Sequence, residues 1–296
     1  MSKSAKGILF LCVSVLLYSV MPVLIRFLGS LTIPPATQVF LRYIVAFIAA
    51  AVYFFISKTR FSIKPQDRVL FILVALFGYA LTNLFYTYGI LLTQVGTVLF
   101  IFFCSSIMTP ILGYVFLKEK IHRTTVIALV LSFIALLFLF RPGPIATWRL
   151  GAIFALLSAI GQSFYVIGRK KLGGYSSTLV LLLNTFVGVV ALGAISLVTE
   201  QHFYAGGAIT SLKPMAWLVV VLFGLDNFAA WLFMTKGFQL IEASTGSLVM
   251  LTENPLGIFF AFLFFGEVPT AATFFGGALI LTAAAMVLMK HRRGSS

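Results

Sequence analysis

The sequence predicts an all-α integral membrane fold of ten transmembrane helices, arranged as two inverted five-helix repeats. Three observations carry that expectation. Ten apolar stretches of about 20 residues fill the 296-residue chain, each long enough at ~1.5 Å per helical residue to cross a hydrocarbon layer ~30 Å thick. Hydrophobic residues make up 61% of the chain and charged residues 9%, with a mean hydropathy of +1.10, which leaves too few charges to coat a soluble protein of this size. The two halves of the chain also match weakly when one is shifted onto the other.

Taken in order, the spans fall at 6–28, 36–57, 67–91, 95–117, 122–140, 150–171, 177–199, 214–237, 243–265 and 270–290. Residues 124–140, 179–198 and 274–289 carry no charge at all. The joins are marked by helix breakers: Pro34-Pro35, Pro65, Pro142-Gly143-Pro144, Gly173-Gly174, Pro214 and Pro269. Residues 1–6 resemble the basic start of a signal peptide. The apolar segment that follows lacks an A-x-A cleavage site and is too long for a signal h-region, so it reads as a retained helix. The longest connection, about a dozen residues from Glu200 to Lys213, leaves no room for a soluble domain. Cys12 and Cys104 fall inside apolar helices and read as small buried hydrophobes.

A net charge of +14 would suggest nucleic acid in a soluble chain, but here the cations sit in short loops between spans. Such loops stay in the cytoplasm. With a cytoplasmic amino terminus, the inner segments hold fifteen Lys and Arg, including Lys3, Lys58, Arg60, Arg68, Arg169, Lys170 and Lys290. The outer loops keep Arg141, Arg149 and Lys213, with Arg26 at the outer end of the first span. Both termini are therefore expected in the cytoplasm, with an even number of spans.

The segment 141–149 divides the chain near its middle. A shift of 148 pairs Gly89 with Gly237, Leu92 with Leu240, Thr97 with Thr245, Phe116 with Phe264 and Glu119 with Glu267. A shift of 144 pairs Gly7 with Gly151 and Ser19 with Ser163. The expected units are residues 1–145 and 146–296. Five spans per half is an odd number, so the second half enters the membrane inverted, an architecture that places a site near the midplane between the halves.

On these residues the chain resembles the drug/metabolite transporter superfamily, in particular its EamA-type ten-span members. The paired ends Phe116-Leu-Lys-Glu119 and Phe264-Phe-Gly-Glu267 look like that family's "LGE" ends. Asn254-Pro255 stands where the family has a mid-helix proline, and Trp148-Arg-Leu-Gly151 looks like its inter-repeat join. The first half departs from the pattern: Ser106 takes the proline position, and Lys118-Glu119 replaces Gly-Glu. The resemblance implies a cavity lined by the first four helices of each repeat, and alternating access without ATP. Independently of it, the sequence has no P-loop.

Ionisable groups inside a bilayer cost about 2.5–3.5 kcal/mol each on insertion scales, so each must face protein or water. Asp226 and Glu253 lie near the middles of the eighth and ninth spans, and Asn254-Pro255 follows Glu253 directly. Placed together in a cavity of low dielectric, the two carboxylates would suit a proton, an organic cation or the ammonium of an amino acid. Arg42, about two turns into the second span, is a candidate partner for a substrate carboxylate, and Asn254 joins Glu253 as a candidate lining residue. The charged candidates also have a structural reading: Glu253 paired with Arg42, Asp226 capping a broken helix, and Arg42 snorkelling to the outer headgroups. Lys236 reads as a marker of the inner interface, and Glu119 and Glu267 as end-of-helix contacts. Tyr18, Asn83, Tyr86, Gln162 and Trp231 extend the candidate lining, with Ser19, Tyr165 and Asn184 beside them. Tyr18 and Gln162 are equivalent under the shift of 144.

The expected function is secondary active transport of a small metabolite across the bacterial inner membrane by alternating access, in the direction of export; the YddG-like branch of the resemblance implies an amino acid, aromatic ones included, or a related metabolite. Proton-coupled efflux of organic cations or drugs is the alternative. An enzyme is not expected, because His122, His202 and His291 lie in separate connections without a partnering motif. The expected partners are a small-molecule substrate, the lipid bilayer and, in the second reading, protons. No cofactor, metal or nucleic acid is expected, and the assembly is a monomer or homodimer.

Overall fold

The computed structural model describes residues 2–93, 95–102, 104–119, 123–139, 149–266 and scattered positions between 271 and 286. These residues form helices α1 (Lys3–Ser30), α2 (Pro35–Ile56), α3 (Arg68–Leu73), α4 (Leu81–Leu92), α5 (Val95–Phe102), α6 (Cys104–Leu117) and α7 (Arg123–Leu139). The second half contributes α8 (Arg149–Lys171), α9 (Ser177–Thr199), α10 (Gln201–Ala205), α11 (Pro214–Leu240), α12 (Ala243–Met250) and α13 (Glu253–Phe265). Among the described residues, six runs are long and apolar enough to cross a membrane: Lys3–Ser30, Pro35–Ile56, Pro65–Leu92, Leu150–Lys171, Ser177–Thr199 and Pro214–Leu240. The tenth expected span lies largely outside the described residues, as do Glu267 and the join at 141–148.

Local chemistry sets the helix starts. Ser2 accepts a hydrogen bond from the Ala5 amide at 3.2 Å, and Ser176 accepts one from the Leu179 amide at 3.1 Å, so each satisfies an orphan donor of a first turn. Pro35 and Pro214 open α2 and α11, where a missing N–H costs nothing.

Two spans that the sequence reads as single helices are more elaborate. The third passes from α3 through a π-helical segment, Val74–Ala80, into α4. The ninth breaks at Leu251-Thr252 into α12 and α13. Pro255, in the first turn of α13, has no N–H to give to the carbonyl one turn earlier, which accounts for a break at this point.

The long helices pack in pairs that each join the two halves of the chain: α1 along α11, α4 along α8, and α2 along α9. Their contacts recur. Ser14 of α1 donates to the Ala230 carbonyl at 2.9 Å, and Ser158 of α8 donates to the Thr82 carbonyl at 2.8 Å. A Cβ on Gly7 would come within 2.7 Å of Ile241, and one on Gly151 within 2.8 Å of Thr93. In both cases, shifts of 144 and 148 carry the first pair onto the second. Small residues at such points let helix backbones approach closely, a source of cohesion where the hydrophobic effect between helices is weak.

One end of the bundle gathers the Lys and Arg residues. There Lys170 donates to the Ile241 carbonyl, Ser177 to Gln239 at 2.8 Å, and the Ala243 amide to Glu119 at 3.2 Å. Glu119 thus makes the end-of-helix contact expected of it. Arg169 departs from its expected place in a loop. It is fully buried and donates to the Leu172 carbonyl and Ser177, closing the end of α8. Tyr175 donates to Asp67, and this bond to a carboxylate raises the phenol above its ordinary range.

At the opposite end, Glu200 accepts from the Ala36 and Thr37 amides at 2.8 and 2.7 Å and from the Thr37 hydroxyl at 2.8 Å. Pro34, at the N-cap of α2, supplies no side-chain bond, so Glu200 caps α2 from a distant part of the chain. Charge and helix dipole act in the same sense here. Glu200→Ala is expected to destabilise the protein by about 0.5–2 kcal/mol, read as a lower thermal midpoint in detergent. An unchanged midpoint would show the cap to be inert.

Candidate functional site

Between α1, α4, α5, α8, α11, α12 and α13 lies a cavity of roughly 340 Å³. Six residues expected from the sequence line it: Tyr18, Asn83, Tyr86, Gln162, Trp231 and Glu253. The break at Leu251-Thr252 places Glu253 in the first turn of α13, and its side chain is 8% exposed. Thr252 turns its hydroxyl to the Val249 carbonyl at 2.8 Å and leaves α13 without a side-chain cap. A carboxylate in that first turn meets the positive end of the helix dipole.

The lining is rich in donors. The Tyr18 and Tyr86 hydroxyls and the Trp231 indole N–H are buried and make no hydrogen bond among the described residues. Trp231 is also the hub of an aromatic cluster, with ring centroids 4.0 Å from Tyr79, 4.6 Å from Tyr165 and 5.9 Å from Tyr18, all edge-on. Tyr165 is fixed in turn by a 2.8 Å hydrogen bond with Thr235.

Arg42 stands directly behind the lining. Its guanidinium donates to Asn83 Oδ1 at 2.9 Å, lies 4.5 Å from the Phe223 ring centroid and is fully buried, with two of its nitrogens unbonded. Asn83 passes the contact on through its amide, which donates to the Tyr79 carbonyl at 3.1 Å. The structural alternative for Arg42, snorkelling to the headgroups, does not hold. Helix α2 is packed against both α9 and α11, so this face of it points into protein.

The remaining candidates are dispersed. Asp226 is half-buried on α11 and does not line the cavity, whereas Glu253 does. The expected carboxylate pair is thus split. Glu253 has no ion pair among the described residues. The side chain of Asn254 lies outside the described residues. Lys236 donates to the Tyr53 hydroxyl at 3.0 Å and so is held away from the cavity. Asn184 is buried behind the lining with its amide unbonded. Met21, Thr82, Phe102, Ser158 and Met250 complete the wall. Of these, only Ser158 left a trace in the sequence, as the counterpart of Ser14.

A bundle of membrane-crossing helices around a buried cavity with a few polar groups is an arrangement suited to a transporter. The chain belongs to the EamA-like transporter family, which matches residues 5–141 and, a second time, 149–289. It is 22% identical over 275 residues to an uncharacterized transporter of Clostridium kluyveri, covering 88% of this chain and 86% of that one. It is 23% identical over 292 residues to the pseudopaline exporter CntI of Pseudomonas aeruginosa, covering 97% of each. A solved crystal structure at 15% identity superposes with a TM-score of 0.76 over 98% of this chain, a likeness of fold.

Proposed function

We propose that the protein is a secondary active exporter of an amino acid or related zwitterionic metabolite. It would work by alternating access in the bacterial inner membrane, with ten spans and both termini in the cytoplasm. One observation carries the substrate class. The cavity sets a single carboxylate, Glu253, among unbonded donors on Tyr18, Tyr86 and Trp231, with Arg42 one residue behind Asn83. An ammonium suits the first, and a carboxylate suits the donors. The aromatic hub extends the fit to aromatic side chains. That a relative is named as exporting pseudopaline supports metabolite export as the direction.

Inverted repeats at 1–145 and 146–296 are supported by the double family match and by the recurrence of the Ser14 and Gly7 contacts at Ser158 and Gly151. A second reading, proton-coupled efflux of organic cations, is favoured by a cavity carboxylate, Glu253, that has no ion pair among the described residues.

Thermal stability of the detergent-purified protein against amino acids, organic cations and organic anions, at pH 6 and pH 8, separates the two. A ligand of the folded state raises its midpoint, by an amount equivalent to about 2.7 kcal/mol at a hundredfold excess over Kd. Stabilisation by amino acids at both pH values is the expected result. Stabilisation by cations alone, stronger at pH 8, would establish the second reading instead.

A further inference from the structure

Away from the central cavity, a groove of about 960 Å³ opens at the basic end of the bundle. Its walls are Phe71 and Ile72 of α3 and Leu183 and Val187 of α9, with Phe61 of the α2–α3 connection across the end and Arg68 at the rim. The walls are held in place. Phe71 is buried and meets the Tyr175 ring edge-on at 4.9 Å. Tyr175 is fixed from both sides, donating to Asp67 and accepting from the Lys64 amide at 3.1 Å. Phe61 folds back edge-on against Phe54, 6.4 Å away.

The mouth is strongly basic. Lys58, Arg60, Lys64 and Arg68 all belong to this short connection, and none has a side-chain hydrogen bond or ion pair among the described residues. The connection contains a single acid, Asp67, which is engaged by Tyr175. It joins two runs that are long and apolar enough to cross a membrane, so the mouth lies where such helices meet the headgroups. An apolar trough below a cluster of unneutralised cations is complementary to a lipid with an anionic head. Its chain removes the trough from the surrounding bilayer's poorer packing, and its phosphate answers the cations.

We propose that this groove binds an anionic phospholipid, with an acyl chain between α3 and α9 and the headgroup phosphate at Arg68. A zwitterionic lipid makes the same chain contact but brings no net charge to the mouth.

The test is nondenaturing mass spectrometry of the full detergent-purified chain with phosphatidylglycerol, with phosphatidylcholine of the same chains, and with inorganic phosphate as competitor. Phosphatidylglycerol should be retained at least about fivefold better than phosphatidylcholine, and Arg68→Gln should lower its retention about fivefold. Ile72→Trp, which fills the trough from an exposed position, should lower retention of both lipids. Lys213→Gln, at the N-terminal end of α11 and away from the groove, should change neither. Equal retention of the two lipids, indifference to Arg68→Gln, an equal loss in Lys213→Gln, or displacement by phosphate alone would each overturn the proposal.

Discussion

Glu253→Gln is expected to lower transport of an amino-acid substrate in proteoliposomes by about 10- to 150-fold, while the folded protein is recovered in full. The two halves of that expectation have separate physical origins. The neutral amide keeps the size of the side chain and accepts hydrogen bonds, so the first turn of α13 and the cavity wall lose little. What disappears is the charge that would face an ammonium in a site with little water, where a charged hydrogen bond contributes about 1.5–3 kcal/mol. Because Glu253 has no ion pair among the described residues, neutralising it strands no described counter-ion, and stability should hold. Transport by the variant at the wild-type rate would remove Glu253 from the substrate site. Loss of folded protein would return it to the structural role of a helix lock.

Arg42→Gln is the complementary case. The guanidinium touches the lining through Asn83, and two of its nitrogens are unbonded. The glutamine is expected to weaken binding of an amino acid by about 10- to 150-fold, the equivalent of one charged hydrogen bond. It should leave binding of the matching decarboxylated amine unchanged. Glu253→Gln should show the reverse preference, sparing a ligand that has the carboxylate and lacks the ammonium. Titration calorimetry with the three ligands reads both variants. Equal losses for acid and amine in Arg42→Gln would mean that the arginine merely shapes Asn83 and the wall around it.

Depth was the property most legible in the sequence. Hydropathy located the helices to within a few residues, as at 6–28 for Lys3–Ser30 and 177–199 for Ser177–Thr199, because a polar residue in an apolar run stands out. The same contrast found Tyr18, Asn83 and Glu253. Facing is a different property, and a helix that is apolar all round does not reveal it. Arg42 could be read either as a substrate partner or as a snorkelling side chain, and Asp226 was grouped with Glu253 although only Glu253 lines the cavity. Met21, Phe102 and Met250 line the cavity and were unreadable, since an apolar residue in an apolar helix carries no contrast. Glu200 was missed for another reason. Its partners are backbone amides of Ala36 and Thr37, which have no side-chain signature. The shift of 144 was the signal that reached furthest, since it linked Tyr18 to Gln162 before any geometry was known.

The break at Leu251-Thr252 has a mechanical meaning as well as a chemical one. An unbroken helix is a rigid rod, and a push at its middle must move both ends. Here α12 and α13 are two short levers meeting at an elbow beside the cavity, and α12 is tied at its far end through Ala243 to Glu119. The cavity wall includes Met250 on one lever and Glu253 on the other, so both meet the same space at the elbow. A break here gives two short arms with separate anchorages in place of one rod that can only move as a whole.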